Sequence, residues 1–181
     1  MENIERKKFT FTTQQIAVLG VLMALRIILS RFSIQITPSV QLAFGFIVAS
    51  MIGMLFGPWV AGFAGVGTDL LTTFLFGKSN FFIGFTFTAF VGGFIYGVFL
   101  HRKEIKWHHV LMAVLLNTLF ANLFLNTLWI NILYETPILV LLASRIPQNL
   151  IMGPIRFVLI YLILSNKQLQ EIYNRYSTAN K

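Results

Sequence analysis

The chain has 181 residues, of which 56% are hydrophobic and only 11% charged. Soluble domains carry charge on about a quarter of their residues, so this balance excludes one and marks an integral membrane protein. A formal charge of +8 would suggest nucleic acid in a soluble chain, but here its placement matters more than its sum, and the lack of cysteine excludes disulfide scaffolds, thiolate metal sites and cysteine catalysis.

Apolar runs of about 18 or more residues are candidates to cross a bilayer. Six occur in chain order: Gln14 to Phe32, Val40 to Gly57, Pro58 to Phe76, Phe81 to Leu100, Val110 to Tyr134 and Pro137 to Leu164. The expectation is an all-α membrane protein, a bundle of six transmembrane helices forming one domain over residues 1–181. Before the first run stands a charged patch, Glu5, Arg6, Lys7 and Lys8. The run is too long for a signal peptide and lacks a small-residue cleavage site, so it reads as a retained first helix.

Arg6, Lys7 and Lys8 precede the first span; Arg102, Lys103 and Lys106 lie between the fourth and fifth; Lys167, Arg175 and Lys181 follow the last. With an even number of spans these fall on one side, which the positive-inside rule makes cytoplasmic, termini included. The opposite turns carry only Arg31, Lys78 and Glu135. The connections are short, with TPS at 37–39, GP at 57–58, GKSN at 77–80 and ETP at 135–137.

The first helix holds Arg26 among apolar residues. An arginine in lipid costs from about 3 to more than 10 kcal/mol depending on how far it snorkels, so something must compensate for it. At about 100° per residue, Ala17, Gly20 and Ala24 share one face and Arg26 points the other way. If Arg26 faces a polar interior, the small residues face outward and offer a smooth docking stripe for another protein's helix. Similar stripes in the third helix (Gly57, Ala61, Gly65) and the fourth (Ala89, Gly93, Gly97) read as packing between the chain's own helices.

Asp69 in the third helix lies at about the same depth as Arg26, so either a buried ion pair or a shared ligand would satisfy both. Asp69, Thr72 and Thr73 share a face; Thr118, Asn122 and Asn126 follow α-helical spacing; Arg145, Gln148, Asn149 and Arg156 form a stripe in the last helix, which Pro147 and Pro154 distort. Phe81, Phe82, Phe85, Phe87, Phe90, Trp129 and Tyr134 crowd the outer ends of the fourth and fifth helices, as an interfacial belt or as walls for a flat ligand. The excess of Arg26, Arg145 and Arg156 over Asp69 favours an anionic ligand, and a carboxylate or an amide such as Asn126 suits the donor edge of a nitrogen heterocycle.

FLFGKS at 74–79 ends like a phosphate-binding loop, but Thr72 stands where its first glycine belongs, so ATP hydrolysis by this chain is excluded. His101, His108 and His109 in the basic inner loop read as headgroup contacts rather than a metal site. No nucleophile and base pair stands out inside the membrane, so the chain is expected not to be an enzyme. The polar tail from Asn166 to Lys181 reads as a frayed cytoplasmic helix end.

Four stretches, TTQQIAVLGVLMALRIIL, GFTFTAFVGGFIYG, NLFLNTLWI and RIPQNLIMGPI, make the chain resemble the S components of energy-coupling factor (ECF) vitamin transporters, the folate-specific ones above all. That resemblance implies a subunit of the bacterial plasma membrane that captures folate from outside with high affinity. It also implies docking on a transmembrane T subunit and two ATPases, then toppling to release the vitamin. ATP is used by those partners alone, and neither cofactor, metal nor nucleic acid is implied. The stripe Ala17, Gly20 and Ala24 would dock on the T subunit. Arg26 and Arg145 would engage the glutamate part or polarise the ring, Asp69, Asn126 and Asn149 would read the pteridine, and Phe85, Thr86 and Trp129 would line the walls. The chain departs from the family pattern at Gln148 and Arg156, where lysine and an acid are common. Two other readings stand beside this one: an S component for another vitamin such as riboflavin, and an autonomous proton-coupled carrier using Asp69.

Overall fold

The structure, a computed structural model, describes residues 11–37, 40–76, 81–103 and 105–178. The basic patch at 6–8, Lys78 and Lys181, the whole GKSN turn and the tip of the TPS turn lie outside the described residues, and so does half of the FLFGKS stretch.

Helix α1 (Thr13–Arg31) begins where Thr12 and Gln15 cap each other. The Gln15 N–H donates to Thr12 Oγ1 at 3.4 Å and the Thr12 N–H to Gln15 Oε1 at 3.1 Å, satisfying two donors that a helix start otherwise leaves open. A short antiparallel hairpin follows, β1 (Ser33–Thr37) and β2 (Val40–Ala43), with Ser33 opposite Ala43 and Gln35 opposite Gln41. Helix α2 (Gly45–Phe56) comes next.

The second expected span is therefore corrected: its first four residues, Val40 to Ala43, are strand, and the helix has 12 residues. SIQIT and VQLA alternate apolar with polar residues, the period of a strand, which a count of apolar residues does not register. At 1.5 Å per residue α2 is about 18 Å long, against about 30 Å of hydrocarbon. Among the described residues five other helices are long and apolar enough to cross: α1, α3 (Pro58–Phe76), α4 (Ile83–Leu100), the continuous helix Trp107–Tyr134 and α7 (Ile138–Leu164).

The helix Trp107–Tyr134 changes pitch along its length. It opens as α5 (Trp107–Leu116), passes through a π-helical segment (Asn117–Leu125) and closes as α6 (Asn126–Tyr134). Beyond α7 the tail is not a frayed end. It forms a separate helix, α8 (Lys167–Thr178), whose Leu169 and Tyr173 pack against the largest apolar cluster.

The core sits around α2, whose Val48, Ala49, Ser50, Ile52, Gly53 and Met54 are buried. Gly57 turns the chain into α3 with φ of +85°, a conformation glycine adopts without strain. Helices α3 and α4 then run antiparallel with their backbones touching: a Cβ at Gly65 would collide with the Ala89 carbonyl, and one at Gly93 with the Ala61 carbonyl. Small residues allow this approach, and the expected intramolecular role of both stripes is what the structure shows. On α1, by contrast, Ala17, Gly20 and Ala24 are all exposed, and a Cβ at Gly20 would meet nothing within 4 Å.

His101, at the end of α4, is half-buried over Gly57, and its Nδ1 donates to the Met54 carbonyl at 2.9 Å. It clasps the end of α4 to that of α2 rather than reaching a headgroup, which corrects its expected role. His108 and His109 pack edge to face 4.3 Å apart. Among the described residues no group of three or more His, Cys, Asp or Glu side chains is placed to hold a metal ion.

Candidate functional site

The polar side chains expected from the sequence gather along α4, which touches a different partner at each level. Nearest its start, Thr86 Oγ1 donates to Asp69 Oδ2 on α3 at 2.8 Å. Thr88 Oγ1 accepts from Trp129 Nε1 on α6 at 3.0 Å and donates to the Gly84 carbonyl at 3.1 Å. One turn further, the Gly92 carbonyl accepts from Asn117 Nδ2 at 2.9 Å. Another turn on stands Tyr96, buried and within electrostatic reach of Arg156 and Arg26. Residues 88, 92 and 96 lie four apart, so one face of α4 carries this sequence of contacts.

Aromatic rings close the first level. Phe82 lies 5.9 Å from Phe85 and 5.8 Å from Trp129, in edge-on and tilted packing. Gly84 sits beneath them, where a Cβ would collide with Phe82 and come within 2.5 Å of the Trp129 ring. Of the expected wall residues, Phe85 and Trp129 therefore meet through Phe82, while Thr86 belongs to Asp69. Trp129 is held by its indole N–H, so its ring plane is fixed rather than free to rotate.

Arg26 and Asp69 are not joined in an ion pair. Asp69 lies within electrostatic reach of Arg26 but takes its hydrogen bond from Thr86, and Arg26 Nη1 is buried with no hydrogen-bond partner among the described residues. A buried guanidinium N–H with no acceptor is costly, more than an average buried amide because the donor is charged. The compensation that the sequence demands for Arg26 is thus not supplied by the described side chains. Arg156 presents the same situation, with its Nε buried and unpartnered and its guanidinium over the Phe46 ring at 5.9 Å.

The remaining predicted residues sit on the π segment and α7. Arg145 Nη1 donates to the Asn122 carbonyl at 3.0 Å, which ties α7 to the π segment. Asn149 Nδ2 donates to the Arg145 carbonyl at 2.9 Å, one turn back on its own helix, beside the break that Pro147 makes in the backbone ladder. Asn126 opens α6 and is partly buried. Arg145 and Asn149 thus each spend one donor on the helix framework, and the guanidinium keeps further N–H groups beyond it.

The stretch that carries Thr118, Asn122 and Asn126 passes through the π-helical segment, whose backbone hydrogen bonds join residues five apart, and all three side chains are partly buried. Within it Asn122 Nδ2 donates to the Asn117 carbonyl, five residues back, at 3.4 Å. Asn117 and Thr127 are buried, and Thr118 and Thr127 each have a buried hydroxyl oxygen without a partner among the described residues. Thr88, Tyr96 and Asn117 were missed as site residues. Asn117 was detectable as the residue five before Asn122, and Tyr96 as the hydroxyl inside GFIYG.

Residues 14–164 match the model of the family described as ECF transporter, substrate-specific component. A folate transporter FolT of Clostridium novyi is 41% identical over 161 residues, covering 88% of this chain and 93% of that protein. One of Leuconostoc mesenteroides is 35% identical over 86% of both chains. Among solved structures, a crystal structure of FolT bound with folic acid superposes with a TM-score of 0.78 at 36% identity, covering 84% of this chain and 93% of that one.

Proposed function

We propose, for a chain that belongs to the family of ECF transporter substrate-specific components, that it is the folate-binding subunit of such an importer. It is an integral membrane protein, as its apolar helices require, and its relatives come from bacteria. The folate reading rests on likeness, over most of both chains, to a structure that holds folic acid. It agrees with the chemistry of the site: unpartnered guanidinium donors suit a carboxylate, and a rigidly held indole beside phenylalanine rings suits a flat heterocycle.

In this reading six helices cross the membrane, the short α2 among them, with both termini in the cytoplasm as the basic segments direct. Folate enters from the outer side. Arg26 and Arg145 engage its carboxylates, Asp69, Asn126 and Asn149 read the pteridine edge, and Phe85, Thr86 and Trp129 form the wall. Asp69 is oriented for that task by Thr86, which holds one carboxylate oxygen and leaves the other free to accept from a ring N–H. The exposed stripe Ala17, Gly20 and Ala24 docks on the transmembrane T subunit of an energising module with two ATPases, after which the subunit topples and releases the vitamin.

Two measurements test the reading. Folate titrated into the purified chain, followed by quenching of tryptophan fluorescence, should show saturable binding; Arg26→Ala or Asn126→Ala should weaken it at least about tenfold, or 1.4 kcal/mol. Unchanged affinity in both variants would overturn the site assignment. Replacing Gly20 and Ala24 together with leucine should abolish copurification with the energising module while folate binding stays intact, and undiminished copurification would refute the docking stripe.

A further inference from the structure

Two of the buried polar atoms that lack any partner among the described residues belong to guanidiniums, Arg26 Nη1 and Arg156 Nε. Both guanidiniums lie within electrostatic reach of the buried Tyr96. The backbone brings them together. Helix α3 runs antiparallel to α4, as Ala61 against Gly93 and Gly65 against Ala89 show. Gly45 at the start of α2 meets Ser30 at the end of α1, and α2 runs with α4, as Gly53 against Gly97 and Gly57 against His101 show, so α1 runs against α4 and with α3. Helix α7 runs with α4, because Arg145 meets the π segment near its outer part while Ile160 and Leu164 join Leu100 in one cluster. Side chains lean toward the N-terminus of their own helix, so Arg26 on α1 and Arg156 on α7 lean toward each other from opposite directions.

Charge does not balance there. Arg26 lies within electrostatic reach of one carboxylate, Asp69, which already accepts the Thr86 hydroxyl, and Arg156 within reach of the Tyr96 hydroxyl. The Phe46 ring lies against the Arg156 guanidinium and leaves its Nε edge without an acceptor. In a low-dielectric interior a surplus positive charge with open N–H donors calls for one anionic oxygen group.

We propose that Arg26 and Arg156, with Tyr96 between them, form a monoanion subsite between α1, α4 and α7 that takes a carboxylate. Resting on the folate reading for its occupant, the subsite holds one carboxylate of the vitamin, and Arg156 thereby becomes a determinant of selectivity for acidic over neutral pterins. A small free carboxylate or halide has the same chemistry and is the other source of the anion.

The test compares the full-length wild type with Arg156→Met and Arg156→Lys. Two ligands are titrated, folate and its diamide, in which both carboxylates are neutral; acetate is titrated separately into the ligand-free protein while thermal unfolding is followed. Arg156→Met should weaken folate binding at least tenfold and diamide binding less than threefold, with Arg156→Lys in between for folate alone. Equal losses for both ligands, or no loss for either, would overturn the subsite while leaving the folate reading in place. Saturable stabilisation by acetate in the wild type and its absence in Arg156→Met, with no pterin bound by any variant, would sink the folate reading and keep the subsite as one for a free anion. If Arg156→Met does not purify as a single species, Arg156→Lys decides by the same comparison of folate with diamide.

Discussion

Helices α2, α3 and α4 and the region formed by the π segment with α7 handle the same problem, how to bring helices together in lipid, in opposite ways. In the first region glycine and alanine let backbones touch, with Gly65 and Gly93 set against carbonyls of the facing helix. In the second, bulky polar side chains bridge the gap: Asn117 to Gly92, Arg145 to Asn122, Trp129 to Thr88. Among the described residues, close packing leaves no buried side-chain donor unused. Polar bridging leaves several, at Thr118, Thr127 and Arg156, and α1 adds Arg26. Stability and ligand chemistry are therefore drawn from different parts of one bundle.

The largest effect should come from breaking the packed region. Gly93→Leu forces a side chain into the Ala61 backbone, which has no room to yield, and should cost about 3 kcal/mol or more, seen as loss of monodisperse protein or a large fall in thermal midpoint. On the bridged side, Trp129→Phe keeps an aromatic side chain but removes the five-membered ring with its N–H bond to Thr88; it should cost about 1–2 kcal/mol of stability and weaken folate binding more than it lowers the thermal midpoint. Equal effects on the two would erase the distinction between the regions.

A smaller effect sharpens the comparison at the end of the packed region. Burial against α2 holds the His101 imidazole below its ordinary pKa, aided by the neighbouring Arg102 and opposed by the hydrogen bond to Met54. The unfolded chain takes up a proton as pH falls through about 6.5 and the folded chain resists it, so stability is full above that pH and declines below it. Thermal midpoints measured between pH 7.5 and 5.5 should fall, and His101→Gln should flatten the slope. The smallest effect is expected on α1, where the Gly20→Ala Cβ meets nothing and should raise stability by at most about 1 kcal/mol, through the lost freedom of glycine alone.

The long helices were legible because their apolar runs are bounded by turn residues and, for α1, by a reciprocal cap. Pro58–Phe76 was readable to the residue, since glycine and proline mark its start. The hairpin before α2 was misread because strand and buried helix share the same residue types, and only the alternation in SIQIT and VQLA separates them. Within the site, Arg26, Asp69 and Trp129 stood out as polar or aromatic groups whose burial needs a reason. Asn117 and Tyr96 did not, because the partners of both depend on which helix turns face each other. Helix α8 was hidden by its polar composition, although Leu169, Ile172, Tyr173 and Tyr176 follow helical spacing.

A π turn is an α turn carrying a surplus residue, so the segment Asn117–Leu125 sets the rotational phase between the two ends of the helix Trp107–Tyr134. At its start Val110, Ala113 and Val114 face the apolar cluster; at its far end Thr127 and Trp129 face α4. Removing the surplus residue would let the turn revert to α with both ends still in phase, whereas removing a second would swing the far end by about 100°. The indole would then turn away from Thr88 while the near end kept its packing, so spacing in this stretch is constrained by length as strictly as other stretches are by composition.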